Sequence, residues 1–392
     1  MRIFHISDLH IGKQLHLYNL RESQRYALAQ IVQRVEEYRP DVLLIAGDIY
    51  DRSVPSGEAY EMLDDFLNDL AEITPSIPVL IIAGNHDNAA RLKFASSFFR
   101  KHNIHIAVMP PQTEEEHLEK ITLQDEYGEV DFYLLPFTKP AYVRGLFEEG
   151  KITDYHSAVA ELLRREEIDV SRRNVLVAHQ FFVSQGTAPQ TSDSEITYIS
   201  VGGLDSVDVS CVMDFDYVAL GHIHGAQRIG ADHIRYSGTP LKYSVSEEHH
   251  RKGILMVTMG EKGTENLYER IPIEGKPDVR SIRGTLQEVI ALANDENRDD
   301  YVSIVLTDEE LYRPKDQLDE HYSHILEVRV DNKRTQSRLE NADAAVRVMD
   351  PLSAFREFYQ EMNGQPLSEK EENVFLEILE QAKNDAEQES VI

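Results

Sequence analysis

Residues 1–13, M-R-I-F-H-I-S-D-L-H-I-G-K, decide how the rest of the chain reads. Arg2–Ile6 is a short run of aromatic and β-branched residues, the pattern of a buried strand. It stops at Ser7-Asp8-Leu9-His10, where a carboxylate and an imidazole stand two residues apart. The arrangement recurs downstream. Val42–Ala46 ends in Gly47-Asp48-Ile49-Tyr50-Asp51, and Val79–Ala83 in Gly84-Asn85-His86-Asp87. Val175–Ala178 ends in His179-Gln180, and Tyr217–Leu220 in Gly221-His222-Ile223-His224. A further strand is expected at Val130–Leu135, with helices at Arg21–Tyr38, Glu58–Glu72, Arg91–Lys101 and Ser157–Glu167. This alternation predicts an α/β sandwich over residues 1 to about 270. Open α/β sheets bind ligands beyond the carboxyl ends of their strands, so the five motifs are expected to share one pocket.

Seven of these residues are candidate metal ligands: Asp8, His10, Asp48, Asn85, His179, His222 and His224. Carboxylate, imidazole and amide oxygen suit a divalent cation such as Mn²⁺, with Mg²⁺ or another divalent ion also possible. Thiolates are missing from the set, which excludes a structural zinc site or an iron–sulfur cluster. Asp48 is the natural bridge, because one carboxylate has two oxygens to give two ions. His222 and His224 can divide between them. Two cations roughly 3.5–4 Å apart supply what hydrolysis of a phosphate ester needs: a nucleophile at neutral pH, and neutralised charge on the attacking and leaving oxygens. His86 is better placed to meet the phosphate or protonate the leaving oxygen than to bind metal, and Asp51 is a candidate carboxylate to orient it. A single Asp or His at a strand end is usually a cap or a turn residue; five motifs in this order are not explained that way. His5, His16, His102, His105 and His156 have no such companions, and the pair His249-His250 reads as solvated surface.

The 392 residues suffice for two or three domains, and 41% hydrophobic with 28% charged residues is an ordinary globular composition. The one cysteine, Cys211, has no partner for an internal disulfide, is expected to pack as a small apolar residue, and fits a reducing, cytoplasmic setting. The chain opens on a strand pattern rather than a leader, and no apolar run nears the ~18–20 residues that span a bilayer, so no membrane association is expected. The net charge of −29 argues against a simple charge-driven grip on nucleic acid. Either the acidity serves solubility alone, or a partner subunit supplies the basic surface.

Glu274–Arg283 reads as a linker. A helix at Leu286–Asn294 and strands at Tyr301–Leu306 and Ile325–Val330 then suffice for a small α+β domain over about 280–335. From 351 to 392 the pattern is helical. Leu352, Phe355, Tyr359 and Met362 recur at helical spacing, Asn363-Gly364 and Pro366 end that helix, and Ser368 with Glu371 forms a capping box for the next. Val374, Phe375, Ile378, Leu379 and Ala382 follow on one face of it. Residues 341–392 hold twelve acidic and four basic residues, a net of −8. The two apolar stripes pack on their own domain or dock onto a basic partner helix.

The five motifs resemble those of the calcineurin-like metallophosphoesterase superfamily. Within it the chain is similar to the SbcD family of nuclease subunits, on the opening thirteen residues, G-D-I-Y-D-R-S-V-P-S (47–56), G-N-H-D (84–87), and G-H-I-H-G-A-Q (221–227) followed by Tyr236-Ser237-Gly238-Thr239-Pro240. The likeness is strong over 1–270 and looser beyond. It implies a two-sheet sandwich (1–274), a capping domain that helps select DNA (280–335), and C-terminal helices that bind the coiled coil of an SbcC-type ATPase subunit (351–392). It implies two Mn²⁺ ions, one held by Asp8, His10, Asp48 and His224, the other by Asp48, Asn85, His179 and His222. His86 is then the phosphate-contacting histidine, with Asp51 its partner. The implied activities are single-strand endonuclease, ATP-linked 3′–5′ double-strand exonuclease and hairpin opening, in DNA repair, replication and recombination. A homodimer within a heterotetramer, cytoplasmic and nucleoid-associated when on DNA, is implied as well. Two other readings stand beside it: a small-molecule phosphodiesterase or phosphatase, which has little use for the region after 275, and a binding platform with a vestigial site, which would have lost ligands.

Overall fold

The strands of the sandwich, in chain order, are β1 (Arg2–Ile6), β2 (Val42–Ala46), β3 (Val79–Ile82), β4 (Ile104–Ala107), β5 (Glu119–Asp125) and β6 (Gly128–Leu135). They continue as β7 (Arg173–His179), β8 (Tyr217–Gly221), β9 (Gln227–Ile229), β10 (Ala231–Tyr236), β11 (Gly253–Thr258) and β12 (Leu267–Pro272). In the computed structural model they form two six-stranded sheets, ordered β12-β11-β1-β2-β3-β4 and β9-β10-β8-β7-β6-β5. The structure describes residues 1–94, 96–195 and 205–332, with Leu352, Phe355, Arg356, Tyr359, Gln360, Ser368, Glu371, Glu372, Val374 and Phe375 beyond them. β1 to β4 run parallel, as do β6, β7, β8 and β10; antiparallel strands finish the edges.

Both faces of each sheet are covered, which is why the central strands read as unbroken apolar runs rather than alternating ones. Ile3, Leu44, Ala46 and Ile82 of the first sheet meet Phe132, Val175, Val177 and Tyr217 of the second, all buried between the layers. The opposite residues of the same strands, Phe4, Ile6, Leu43 and Ile45, pack under helices α1 (Arg21–Tyr38) and α2 (Gly57–Glu72). Leu176, Ala178, Val218 and Leu220 pack under α3 (Tyr155–Arg165). Each fully buried side chain of this kind stabilises by about 1.5–3 kcal/mol. The helices form where local signals agree. Ser56 caps α2 by accepting from the Ala59 N–H at 3.2 Å, and Met62, Leu63, Phe66, Leu67 and Leu70 make its buried stripe. Asp154 and Ser157 form a capping box that starts α3 at Tyr155, two residues before the expected start.

Two expectations need correction. The helix expected over Arg91–Lys101 is broken into Ala89–Leu92, Ser96–Phe99 and a 3₁₀ turn at Arg100–His102. Asn88 caps the first piece early and Asn103, in the left-handed region, ends the last. The linker expected at Glu274–Arg283 is half strand: Val279–Gly284 is β13, in a three-stranded sheet ordered β13-β14-β15 with Tyr301–Leu306 (β14) and His324–Val330 (β15). Val279 is buried in the first core and so cannot act as free chain. The helix α4 (Leu286–Ala291), expected to Asn294, opens on a Thr285–Glu288 capping box.

The chain divides into two compact units: Met1–Val305 with Arg313–Arg329, and Leu306–Tyr312 with residues 330–392. In the second, Asp331 donates its N–H to the Leu306 carbonyl at 2.8 Å. The expected capping box is present there, the Ser368 N–H donating to Glu371 at 2.9 Å. Phe355 and Phe375 stack at 4.0 Å between ring centres, and Arg356 pairs with Glu372. Met362, Asn363-Gly364, Pro366, Ile378, Leu379 and Ala382 lie outside the described residues. Among the described residues no helix is long and apolar enough to cross a membrane.

Candidate metal centre

Five parallel strands of the two sheets deliver the motifs. Asp8 and His10 follow β1, Asp48 follows β2, Asn85 and His86 follow β3, His179 ends β7, and His222 and His224 follow β8. Register brings them level: Gly221 pairs with His179 across β8 and β7, and the Asp8 and His10 N–H groups donate to the carbonyls of Gly47 (2.9 Å) and Asp48 (3.0 Å). Close approach needs glycine at two points. A Cβ on Gly221 would lie 1.8 Å from the Ala46 carbonyl oxygen, and one on Gly84 would lie 2.1 Å from Asp48 Oδ1. Four of the expected ligands turn sharply out of their strands: Asp8 (φ 54°), His10 (φ 44°), Asp48 (φ 50°) and His222 (φ 98°) have left-handed backbones. Such conformations cost of order 1–3 kcal/mol each and collect at functional sites.

All seven expected donors converge. His10 Nε2 is 3.1 Å from His224 Nε2 and 3.7 Å from Asp48 Oδ2. On the other side of Asp48, His179 Nε2 lies 3.3 Å from Asp48 Oδ2 and 3.0 Å from Asn85 Oδ1, which is also 2.9 Å from His222 Nδ1. Donor atoms of Asp8, His10 and His224, of His10, Asp48 and His86, and of Asp8, Asp48 and His179 form three groups, each within 4.8 Å. Asp8, His10, Asp48, His179 and His224 are buried; Asn85, His86, His222 and Asp51 are half-buried and open the site to solvent.

The protonation pattern suits a cation. His179 Nδ1 donates to the Ala46 carbonyl at 2.7 Å, so in a neutral ring Nε2 turns a bare electron pair toward Asn85 and Asp48. His224 Nδ1 donates to Ser194 Oγ at 2.7 Å, whose own proton goes to Glu247 Oε1 at 2.7 Å, leaving Nε2 bare toward His10. The bare His179 Nε2 facing the Asn85 and Asp48 oxygens in a buried site asks for positive charge between them, and the bare His224 Nε2 is free to join it. Burial holds His10 well below its ordinary value and His222 at about 3, so both rings are neutral and ready to ligate. Without a metal a proton takes up the strain at His179. Burial works against its charged form, but Asp48 prevails and lifts it to about 9. Burial would likewise raise Asp48, but His179 and His86 hold it well below the carboxylate range.

Asp51 is placed differently from expectation. Its backbone carbonyl, not its carboxylate, takes the His86 Nδ1 proton, at 2.8 Å. The carboxylate turns to Lys13 Nζ (2.8 Å) and lies 3.6 Å from His10 Nδ1, because the buried strand end leaves the Lys13 ammonium as its nearest counter-charge. Cys211 is half-buried on the second sheet's outer core, and burial raises its thiol to about 12.

Supporting residues escaped the sequence reading. Asp87 accepts the N–H groups of Ile49 (3.1 Å), Tyr50 (2.9 Å) and Gly84 (2.8 Å), tying the second motif to the third. Its place inside G-N-H-D was the available signal. Asp87→Ala leaves three donors without their carboxylate, at about 1–3 kcal/mol each, and is expected to weaken metal binding about 10–100-fold, as read by metal titration. Glu247 and Lys252 lie in a stretch that reads as charged surface, yet both are buried and paired at 2.6 Å behind His224. Lys252→Met strands the Glu247 carboxylate and is expected to cost about 3–5 kcal/mol in denaturant unfolding.

A sequence model described as calcineurin-like phosphoesterase matches residues 1–226, more than half of the chain, and the chain belongs to that family. A second, described as the type 5 capsule protein repressor C-terminal domain, matches residues 276–363. The chain is 32% identical over 377 residues to SbcD of the SbcCD nuclease of Staphylococcus epidermidis, covering 94% of this chain and 95% of that protein. This places it in the SbcD branch of the family. Among solved structures it resembles GAP50, the anchor in the inner membrane complex of Plasmodium (TM-score 0.39, 13% identity, 70% of this chain and 89% of that one). It also resembles a dimetal phosphatase from Danio rerio (TM-score 0.37, 11% identity, 70% and 99%).

Proposed function

We propose that this chain cuts phosphodiester bonds of DNA as the nuclease component of a complex with an SbcC-type ATPase. As a member of its family it is a divalent-metal-dependent phosphodiesterase of the nuclease class. One observation carries the site assignment: seven donors from five strand ends meet around Asp48, with ring nitrogens and oxygens facing one another at 2.9–3.3 Å. In our reading Asp8, His10, Asp48 and His224 hold one Mn²⁺, and Asp48, Asn85, His179 and His222 hold a second. When bound, the cations neutralise charge on the attacking and leaving oxygens and lower the pKa of water. The chain's own groups do the rest. The Asp51 carbonyl takes one His86 proton at Nδ1; in the imidazolium form the second proton, on Nε2 and 3.8 Å from Asp48 Oδ2, is the one that meets the phosphate and passes to the leaving oxygen. Asp51 thus acts as a positioning residue through its main chain.

Single-strand endonuclease, 3′–5′ double-strand exonuclease and hairpin opening are the activities this reading assigns. The assembly this reading assigns is a homodimer within a heterotetramer; Phe94 (82% exposed) and Phe98 (57%) are apolar side chains left on the surface where a second copy could bind. For the C-terminal helices, the Phe355–Phe375 stack favours packing within their own unit, while Val374, 56% exposed, leaves part of the stripe for a partner. A small-molecule esterase is less supported, since the likeness to the SbcD nuclease runs over 94% of the chain.

The direct test is cleavage of a labelled hairpin with Mn²⁺, Mg²⁺ or EDTA, beside a chromogenic phosphodiester. Metal-dependent cutting of DNA is expected. Dye hydrolysis without DNA cutting, even with the ATPase added, would refute the nuclease reading.

A further inference from the structure

A cleft of about 970 Å³ has the candidate ligand His224 in its wall. Gln227, His250, Arg251, Lys252 and Arg270 form the part of its lining that bears on charge, and among the described residues no Asp or Glu lines it. In a chain of net charge −29 that is an unusual surface. His250, expected to be solvated, is half-buried here, and a Cβ on Gly225 would sit 3.2 Å from its ring.

The cations of this cleft are not equivalent. Lys252 is committed: its Nζ donates to Glu247 Oε2 (2.6 Å), Thr239 Oγ1 (2.6 Å) and the His224 carbonyl (3.0 Å). Arg251 is exposed and Arg270 half-buried, and among the described residues neither has a carboxylate partner. Arg270 donates to the Arg251 carbonyl, which ties the two positions together. The neighbouring cleft of about 880 Å³ shares His250, Arg251 and Lys252, but its further cations are spent. Lys242 pairs with Asp278 at 2.8 Å and Lys276 with Glu274 at 3.0 Å, and Asp299 and Asp300 stand in its wall. Carboxylates line that cleft, and none lines the one beside His224 among the described residues.

The geometry points to the His224 cleft as the seat of the substrate strand's phosphodiester backbone next to the scissile position, with Arg251 and Arg270 as its phosphate-binding residues. The inference rests on the nuclease reading. A guanidinium without a carboxylate, partly withdrawn from water, gains most from an anion that it can grip with two parallel N–H bonds, and phosphate is such an anion. Each contact releases condensed counter-ions, so it leaves a mark in the salt dependence.

The test uses the full chain with Mn²⁺ and compares a single-stranded oligonucleotide with bis(p-nitrophenyl) phosphate. In Arg251→Gln/Arg270→Gln, the ratio of kcat/KM for oligonucleotide to that for the small ester is expected to fall roughly tenfold, and the salt slope of the oligonucleotide KM to become shallower by about 0.7 for each lost contact. Arg251→Gln alone, at an exposed position outside the core, is expected to show one such decrement, and Arg251→Lys to restore part of it. A ratio and slope equal to those of the unaltered enzyme would overturn the assignment while leaving the nuclease reading intact. An unaltered enzyme that hydrolyses the ester and leaves the oligonucleotide whole, with the SbcC-type ATPase added as well as without it, would refute the nuclease reading itself.

Discussion

Asp48→Ala is expected to release metal from both positions at once. Asp48 lies between the two halves of the donor set, 3.7 Å from His10 Nε2 on one side and 3.3 Å from His179 Nε2 on the other. Its two oxygens serve different neighbours, Oδ2 facing the imidazoles and Oδ1 accepting the His86 N–H at 2.9 Å. Removing the carboxylate takes away the negative charge shared by both halves of the donor set and frees the His86 N–H that it holds. Loss of charge stabilisation worth several kcal/mol corresponds to at least about a 10³-fold fall in turnover. Metal analysis after dialysis and the rate of oligonucleotide cleavage check it together. A variant that keeps its metals and cuts at the normal rate would remove Asp48 from the bridge.

His86→Ala separates binding from turnover. The ring touches the site from outside the seven-donor set, fixed at Nδ1 by the Asp51 carbonyl and turned with Nε2 toward Asp48. Metal content is therefore expected to persist, while turnover falls by about 10²–10⁴, the usual worth of a positioned proton donor. His86 Nε2 also belongs to one donor group with His10 and Asp48, so the same experiment tests a ligand role. Loss of one metal in His86→Ala would make it a ligand instead.

The strand ends were legible in the sequence because each is an apolar run that stops at a Gly, Asp, Asn or His, and burial on both sheet faces demands that composition. Arg2–Ile6, Val42–Ala46 and Arg21–Tyr38 lie where the pattern puts them. The edge strands were not legible. Glu119–Asp125 alternates between half-buried and exposed, and Val279–Gly284 carries charge at every third position, so neither has the apolar run that betrays a central strand. At the site, residue identities point to the ligands but do not fix the left-handed backbones of Asp8, His10, Asp48 and His222: Asp and His only tolerate that region better than most residues and usually lie outside it. The Glu247–Lys252 pair was hidden for a related reason: S-E-E-H-H-R-K reads as solvated, and only the tertiary fold buries two of its charges behind His224. Asp51 shows the reverse case: the spacing suggests its carboxylate, but it is the main-chain carbonyl that His86 Nδ1 meets, while the carboxylate pairs with Lys13.

A two-metal centre that cuts DNA is tested most directly by titrating Mn²⁺ into the metal-free full-length chain while following both bound metal and cleavage of a single-stranded oligonucleotide. Binding of two ions per chain, with cleavage rising as the second site fills, is the predicted result. Saturation at one ion, or full cleavage with only one bound, would contradict it.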